Sequence, residues 1–175
     1  MTQKNAKLTV PEHDGDDYRD LLALADECAQ VASINGIFQA RKLAESNTHL
    51  DRLRSALQCG SGTVRRKVMY LLCIYEAEQV IGDIASVLTN DPCPIVRHEA
   101  AFFLGALKTH EAVAALERAL LTDEEEIVRH EAAEALGDLG DRDALPALEQ
   151  ALQDQSFVVR RTAEMAIEQL RLAAL

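Results

Sequence analysis

From about residue 60 onward, apolar residues recur with the spacing of amphipathic α-helices. Valine-arginine pairs mark this pattern at four places, separated by 32, 32 and 31 residues: Val64-Arg65, Val96-Arg97, Val128-Arg129 and Val159-Arg160. In the inner copies each pair begins a helix that runs to about Leu107 or Leu139, and a second helix follows. Such a fixed period is typical of stacked helical repeats, in which each unit buries its apolar face against its neighbours. The pattern predicts an all-α protein, an α-solenoid of about four to five stacked helical hairpins.

The N-terminal part of the chain departs from this period. Residues 1–15 are polar and predict a flexible lead-in. Residues 16–59 predict degenerate capping helices, because helical spacing returns there in three segments: 16–29, 36–45 and 49–57. The repeats then occupy residues 60–175.

An aspartate stands five residues before the valine in three of the four copies, at Asp91, Asp123 and Asp154, while Cys59 takes this place in the first copy. Such an aspartate can cap the following helix or pair with an arginine of the next repeat. We therefore interpret the repeated arginines as structural: Arg65, Arg97, Arg129 and Arg160.

Composition and charge narrow the range of partners. With 48% hydrophobic and only 4% aromatic residues, the chain predicts a core of Leu, Ala, Val and Ile, as in close-packed helices. The net charge of -11 repels phosphate backbones and anionic headgroups, which excludes nucleic acid and membrane surfaces as expected partners. It would attract a cationic partner, although an acidic surface that serves only solubility explains the charge more simply.

The cysteines and the hydropathy profile indicate a reducing, aqueous compartment. The four cysteines, Cys28, Cys59, Cys73 and Cys93, form no C-x-x-C pair, so we expect reduced thiols. The sequence has neither an apolar segment of signal-peptide type nor a run of about 18 apolar residues. We expect a cytoplasmic protein.

The strongest candidate for chemistry is the stretch Val-Arg-His-Glu-Ala-Ala, which occurs at 96–101 and again at 128–133. The flanking repeats carry Arg66-Lys67 and Arg161-Thr162 in place of the His-Glu pair. Because a stacking requirement would apply to all four repeats, the restriction to the inner two predicts a local purpose. Duplication of one ancestral unit without a purpose is the alternative.

A helical wheel separates these residues from the core. At 100° per residue from Val96, the positions that are apolar in both inner copies form one stripe about 100° wide. The opposite side of the two helices carries the candidate site residues: His98, Glu99, Phe102, His130, Glu131 and Glu134. Since packed helices lie about 8 to 10 Å apart, histidines on neighbouring helices can share a metal ion. Imidazole with carboxylate favours non-haem iron over zinc or manganese.

The repeat pattern D-x-x-x-x-V-R-x-x-A-A-x-x-L-G resembles HEAT-like repeats of the phycobilisome-lyase type over residues 60–171. Four runs also resemble one half of deoxyhypusine hydroxylase: TVRRKVMYLLCI, PIVRHEAAFFLGAL, IVRHEAAEALGDLGDRDALPALEQAL and VVRRTAEMAIEQL. Members of that family consist of two similar halves, and each half carries two His-Glu motifs.

This second resemblance implies a di-iron site between two halves, with each iron bound by two histidines of one half and a glutamate of the other. By motif position, His98 and Glu99 match the first pair, and His130 and Glu131 match the second. Because the chain has two motifs instead of four, we expect a homodimer with two irons, in which Glu99 of one copy completes the histidine pair of the other. A heterodimer with another half-length protein satisfies the same count.

The resemblance also implies roles for the remaining candidates. Glu131 and Glu134 would lie around the metal ligands or contact a cationic substrate, and Phe102 would exclude water.

These features predict a metal-binding protein, an oxygenase or hydroxylase that acts on a protein or a cationic small molecule. A non-catalytic interaction scaffold, a chromophore-lyase-like repeat protein and a metal carrier or iron sensor are alternatives. We exclude His13, His49 and His110 from the site because they have no matching histidine in another repeat.

Overall fold

The computed structural model describes residues 47–72, 75 and 77–172. Over these ranges the chain forms no strand and eight α-helices: α1 (Asn47–Ala56), α2 (Gly62–Leu72), α3 (Ala77–Asn90), α4 (Pro94–Leu107), α5 (Val113–Thr122), α6 (Glu126–Leu139), α7 (Leu145–Ala151) and α8 (Phe157–Leu172). Short 3-10 helices at His110–Ala112 and Arg142–Ala144 precede α5 and α7. The predicted all-α fold is confirmed.

Not every predicted segment can be compared with the structure. The lead-in at 1–15 and the segments at 16–29 and 36–45 lie outside the described residues. The third capping segment, predicted at 49–57, corresponds to α1, which begins at Asn47 and ends at Ala56.

The chain divides between Leu71 and Leu72 into two compact units. In the first unit, the buried residues of α1 include Leu50 and Leu53, and those of α2 include Val64 and Met69. Nη1 of the buried Arg65 donates a hydrogen bond of 2.7 Å to the carbonyl oxygen of Cys59. The first of the repeated arginines is thus tied to the turn that precedes its own helix.

In the second unit, the first helices of successive repeats, α4, α6 and α8, pack side by side. The helices α3, α5 and α7 each pack against the next member of that row, so that every repeat covers the apolar face of the following one. On α4 the predicted stripe is buried at Val96, Ala100 and Leu104. The helices end at Leu107 and Leu139, where the sequence predicts their ends.

Glycines bring the helices of this row close together. A Cβ atom on Gly105 of α4 would lie only 2.8 Å from Cβ of Ala135 on α6. A Cβ atom on Gly137 of α6 would lie 2.9 Å from Cβ of Ala166 on α8. Because carbon atoms pack at about 3.5 to 4.0 Å, neither position has room for a side chain. The repeated Leu-Gly therefore sets the distance between adjacent first helices.

Paired arginines and aspartates join the repeats in register. Arg97 donates from Nε and Nη2 to both carboxylate oxygens of Asp123, at 2.7 and 2.8 Å. Arg129 contacts Asp154 in the same way, at 2.7 and 3.1 Å. We call these two bidentate pairs the arginine ladder. Since such pairs fix orientation as well as distance, the ladder holds each repeat against the next.

The ladder corrects one prediction about direction. The sequence left two roles open for each turn aspartate, a cap on the following helix or a pair with an arginine of the next repeat, but Asp123 pairs with Arg97 of the preceding repeat. The aspartate does not cap the following helix either. Its Oδ1 accepts from the amide of Glu125 at 3.0 Å, and Glu125 is the N-cap residue of α6.

The carboxylates of the ladder remain charged in the folded chain. Burial acts to raise the pKa of Asp123, but the hydrogen bonds from Arg97 and from the Glu125 amide outweigh it and lower the pKa below its ordinary value. Arg129, which is buried, therefore faces a full negative charge at Asp154, whose pKa is lowered in the same manner. A substitution that removes the charge of one partner would leave the charge of the other buried and unpaired.

Replacing Gly105 by alanine should destabilise the protein. The new Cβ would overlap Ala135, so we expect Gly105→Ala to lower the free energy of unfolding by about 1 to 3 kcal/mol. Gly82→Ala is the matched control, since a Cβ at this exposed position of α3 meets nothing within 4 Å. It should stabilise the protein by about 0.5 to 1 kcal/mol. Urea unfolding measures both, and equal effects of the two substitutions would contradict the close-approach argument.

Candidate metal centre

The two His-Glu motifs lie on the adjacent helices α4 and α6 of the second unit. His98 and Glu99 occupy the first half of α4, and His130 and Glu131 occupy the equivalent place on α6. The side chains of His98 and His130 are 35% and 33% exposed. Neither histidine belongs to the core, as the helical wheel predicts.

A direct contact links the two motifs across the repeats. Nε2 of His98 lies 3.2 Å from Oε2 of Glu131. The side chain of Glu131 is only 11% exposed, although the wheel places it outside the apolar stripe. A wheel describes one helix, whereas Glu131 is covered because α4 packs closely beside α6.

Glu131 also has a pKa far above that of an ordinary glutamate. Burial raises its pKa to about 7, the nearby charge of Glu134 adds to the increase, and His130 opposes it. The carboxyl is therefore poised between its neutral and charged forms at physiological pH. A cation bound beside it would favour the charged form.

His130 has a different environment from His98. Its Nδ1 lies 2.8 Å from the hydroxyl oxygen of Thr162 on α8, while its Nε2 lies 3.6 Å from Oε2 of Glu134. Glu134 follows His130 by one helical turn and is 56% exposed. The two histidines of the repeated motif thus present different nitrogens to their neighbours.

The remaining predicted residues border this region. Glu99 is half-buried on α4, and Phe102 is half-exposed, with its ring edge-on to Phe103 at a centroid distance of 5.4 Å. Phe102, Glu131 and Glu134 line a cavity of about 90 Å³ between α4 and α6. A small cavity with an aromatic wall, lined by more acidic than basic side chains, therefore adjoins Glu131, the residue that contacts His98.

The structure also brings together a group that the sequence analysis excluded. His110 pairs through Nδ1 with Asp141, and Asp143 lies beside them. Within the described ranges, this is the only group of three side chains whose potential ligand atoms all lie within 4.8 Å of one another. The repeat period carried the signal, because position 110 corresponds to about position 141 one repeat later.

The geometry identifies this group as a surface ion pair. The hydrogen bond to Asp141 raises the pKa of His110 and lowers that of Asp141. His110 and Asp143 are both exposed to solvent. Because these side chains are exposed, water competes with any ion for their ligand atoms, unlike at the buried carboxyl of Glu131.

Two further expectations concern the whole chain. Cys59 and Cys93 are free thiols, and Cys28 and Cys73 lie outside the described residues. No helix in the described part of the chain combines the length and the apolar character needed to cross a membrane.

The raised pKa of Glu131 predicts a pH dependence of stability in the metal-free protein. Because the folded pKa of about 7 exceeds the ordinary value of 4.5, the stabilisation is complete below pH 4.5 and is lost as the pH rises through 7. We expect Glu131→Gln to remove a loss of about 3 kcal/mol in unfolding free energy between pH 5 and pH 8.

Urea unfolding at four pH values tests this expectation, with Glu168→Gln as the control at an exposed carboxyl that does not act on Glu131. The control should retain most of the pH dependence. Parallel stability curves for the wild-type protein and Glu131→Gln would show that Glu131 titrates normally.

The chain matches the family model for HEAT repeats over residues 50–132 and 81–168, and no curated protein sequence matches it. Its structure is similar to human deoxyhypusine hydroxylase in complex with glycerol, at 34% identity and a TM-score of 0.64, over 70% of this chain and 43% of that chain. This similarity confirms the resemblance inferred from the motifs, although the chain spans less than half the length of that protein. An engineered protein is similar in fold, at 17% identity and a TM-score of 0.51, over 93% of this chain and 94% of that chain. Since the HEAT matches extend over more than half of the sequence, the chain belongs to the HEAT-repeat family.

Proposed function

We propose that this HEAT-repeat protein binds non-haem iron through its two His-Glu motifs and acts as an oxygenase or hydroxylase. The observation that carries the proposal is the placement of His98 and His130 at the same register on the adjacent helices α4 and α6, each followed by a glutamate. A local purpose explains why the flanking repeats have other residues at these places. The metal ligands in this proposal are His98, Glu99, His130 and Glu131.

The chemistry of these donors fits iron. Imidazole and carboxylate groups bind iron, zinc and manganese, and no thiolate belongs to either motif that would favour a closed zinc site. Glu131 is a buried carboxyl with an imidazole as neighbour and a raised pKa, which is the setting in which a bound cation would stabilise its charge. Iron bound there would supply the activation of dioxygen.

A second copy of the chain would complete the site. The chain corresponds to 43% of human deoxyhypusine hydroxylase, and that family resemblance implies that each iron takes a glutamate from the other half. In a two-fold symmetric homodimer, Glu99 of each copy would serve the histidine pair of its partner, giving two irons per dimer. Self-association requires no additional protein.

The cavity between α4 and α6 supports a cationic substrate. Three acidic residues line it, Glu131, Glu134 and Asp138, against one basic residue, Lys108, whose ammonium group donates to the carbonyl oxygen of Asp138, and Phe102 forms an apolar wall. Carboxylates would attract an ammonium group on a small molecule or on a protein side chain. Phe102 would limit the access of water to that group.

An interaction scaffold, with or without a role in chromophore attachment, is the second candidate function. Large apolar side chains are exposed at equivalent positions of three successive repeats: Ile95, Ile127 and Val158. Such a row of apolar groups suits a protein partner. A scaffold of this kind would not depend on the histidines.

Removing both histidines separates the two functions. We expect His98→Ala with His130→Ala to abolish iron binding, measured by metal analysis after anaerobic loading with Fe²⁺ and desalting, because both imidazole ligands are lost. His110→Ala is the matched control at the surface ion pair and should retain the iron of the wild-type protein. Iron content that survives the double substitution, or is absent from the wild-type protein, would favour the scaffold.

The shared site predicts complementation between two defective chains. A heterodimer of the double histidine variant with Glu99→Gln, purified through two different tags, would contain one complete site. We expect about half of the wild-type iron content in this heterodimer and little in either variant alone. If Glu99 instead served the histidines of its own chain, the heterodimer would contain no complete site and would remain without iron.

A further inference from the structure

Thr162 stands in α8 at the position that Glu131 occupies in α6, one repeat earlier. Each of these two side chains faces the histidine of the preceding repeat: Glu131 faces His98, and Thr162 faces His130. The ring nitrogens involved differ. Glu131 contacts Nε2 of His98 at 3.2 Å, whereas Thr162 contacts Nδ1 of His130 at 2.8 Å.

The hydroxyl of Thr162 has its proton committed elsewhere. Oγ1 donates a hydrogen bond of 3.0 Å to the carbonyl oxygen of Val158, one turn earlier in α8. A hydroxyl has one proton to donate and two lone pairs that accept. With its proton on the Val158 carbonyl oxygen, the Thr162 hydroxyl can only accept from His130, so this pair of contacts favours the tautomer of His130 with hydrogen on Nδ1.

A hydrogen on Nδ1 makes Nε2 of His130 the nitrogen with a lone pair. A neutral imidazole carries one hydrogen, so a hydrogen on Nδ1 leaves the lone pair of Nε2 exposed. Oε2 of Glu134 lies 3.6 Å from Nε2, which is beyond hydrogen-bond distance, so this carboxylate leaves the lone pair of Nε2 available.

We propose that Thr162 is a positioning residue that fixes His130 in the tautomer with hydrogen on Nδ1, so that Nε2 is the nitrogen that binds the metal ion. This inference rests on the proposed function, since it assigns Thr162 a role through His130. The hydroxyl of Thr162 is neutral, so it orients the ring without stabilising the protonated imidazolium. A carboxylate in its place would stabilise that charged form. Groups that orient a metal-binding histidine typically contribute 10- to 100-fold to metal affinity.

Thr162→Val keeps the shape of the side chain and removes the acceptor, whereas Thr162→Ser keeps the hydroxyl. In the metal-free wild-type protein, ¹⁵N NMR of the histidine rings should show His130 with hydrogen on Nδ1, its signal being assigned with His130→Gln. Thr162→Val should shift this ring toward a mixture of tautomers, and Thr162→Ser should restore the wild-type state.

Metal affinity gives the second readout, with Co²⁺ as the probe because its visible absorption reports binding. We expect Thr162→Val to weaken Co²⁺ binding about tenfold and Thr162→Ser to leave it near the wild-type value. Thr162→Ala, which should behave like the valine variant, replaces it if that variant does not fold.

The outcomes separate this inference from the proposed function. A hydrogen on Nε2 in the wild-type protein, or unchanged tautomer and Co²⁺ affinity in Thr162→Val, would overturn the role of Thr162 while leaving metal binding intact. Absence of Co²⁺ binding in the wild-type protein would overturn the proposed function together with the metal role of Thr162. The NMR result would then still decide whether Thr162 sets the tautomer.

Discussion

The close approach of successive first helices is the constraint on which the candidate site depends. Gly105 and Gly137 leave no room for a side chain where α4 meets α6 and α6 meets α8. A histidine therefore reaches the neighbouring helix directly, as His98 does when its Nε2 comes within 3.2 Å of Glu131. A bulkier residue at Gly105 would push α4 away from α6 and disrupt this contact.

The arginine ladder adds a direction to this packing. Each arginine binds the aspartate of the following repeat through its side chain, and Nη1 of the same arginine binds the carbonyl of its own turn, at 2.9 Å for both Arg97 to Asp91 and Arg129 to Asp123. One guanidinium thus joins two consecutive turns. Because a buried arginine is costly unless its charge is paired, a shift of one repeat against the next would leave these charges without their partners.

The sequence predicted the features that depend on one helix at a time. The period of the Val-Arg pairs gave the helices, and the wheel from Val96 gave the buried stripe, because both follow from helical geometry alone. Features that depend on the neighbouring helix were missed or reversed. The burial of Glu131, the direction of the Asp123 pair and the meeting of His110 with Asp141 all require the offset between repeats.

The same offset explains why a repeated motif does not form two equivalent environments. Each histidine is completed by the repeat that follows it, so the environment of His98 depends on α6 and that of His130 depends on α8. Since α8 carries Thr162 where α6 carries Glu131, His98 meets a carboxyl group through Nε2 and His130 meets a hydroxyl through Nδ1. In the proposed site, Oε2 of Glu131 lies 3.2 Å from Nε2 of His98, a spacing that suits two ligands of the same metal ion, while Thr162 contacts His130 through the ring nitrogen that does not bind the metal.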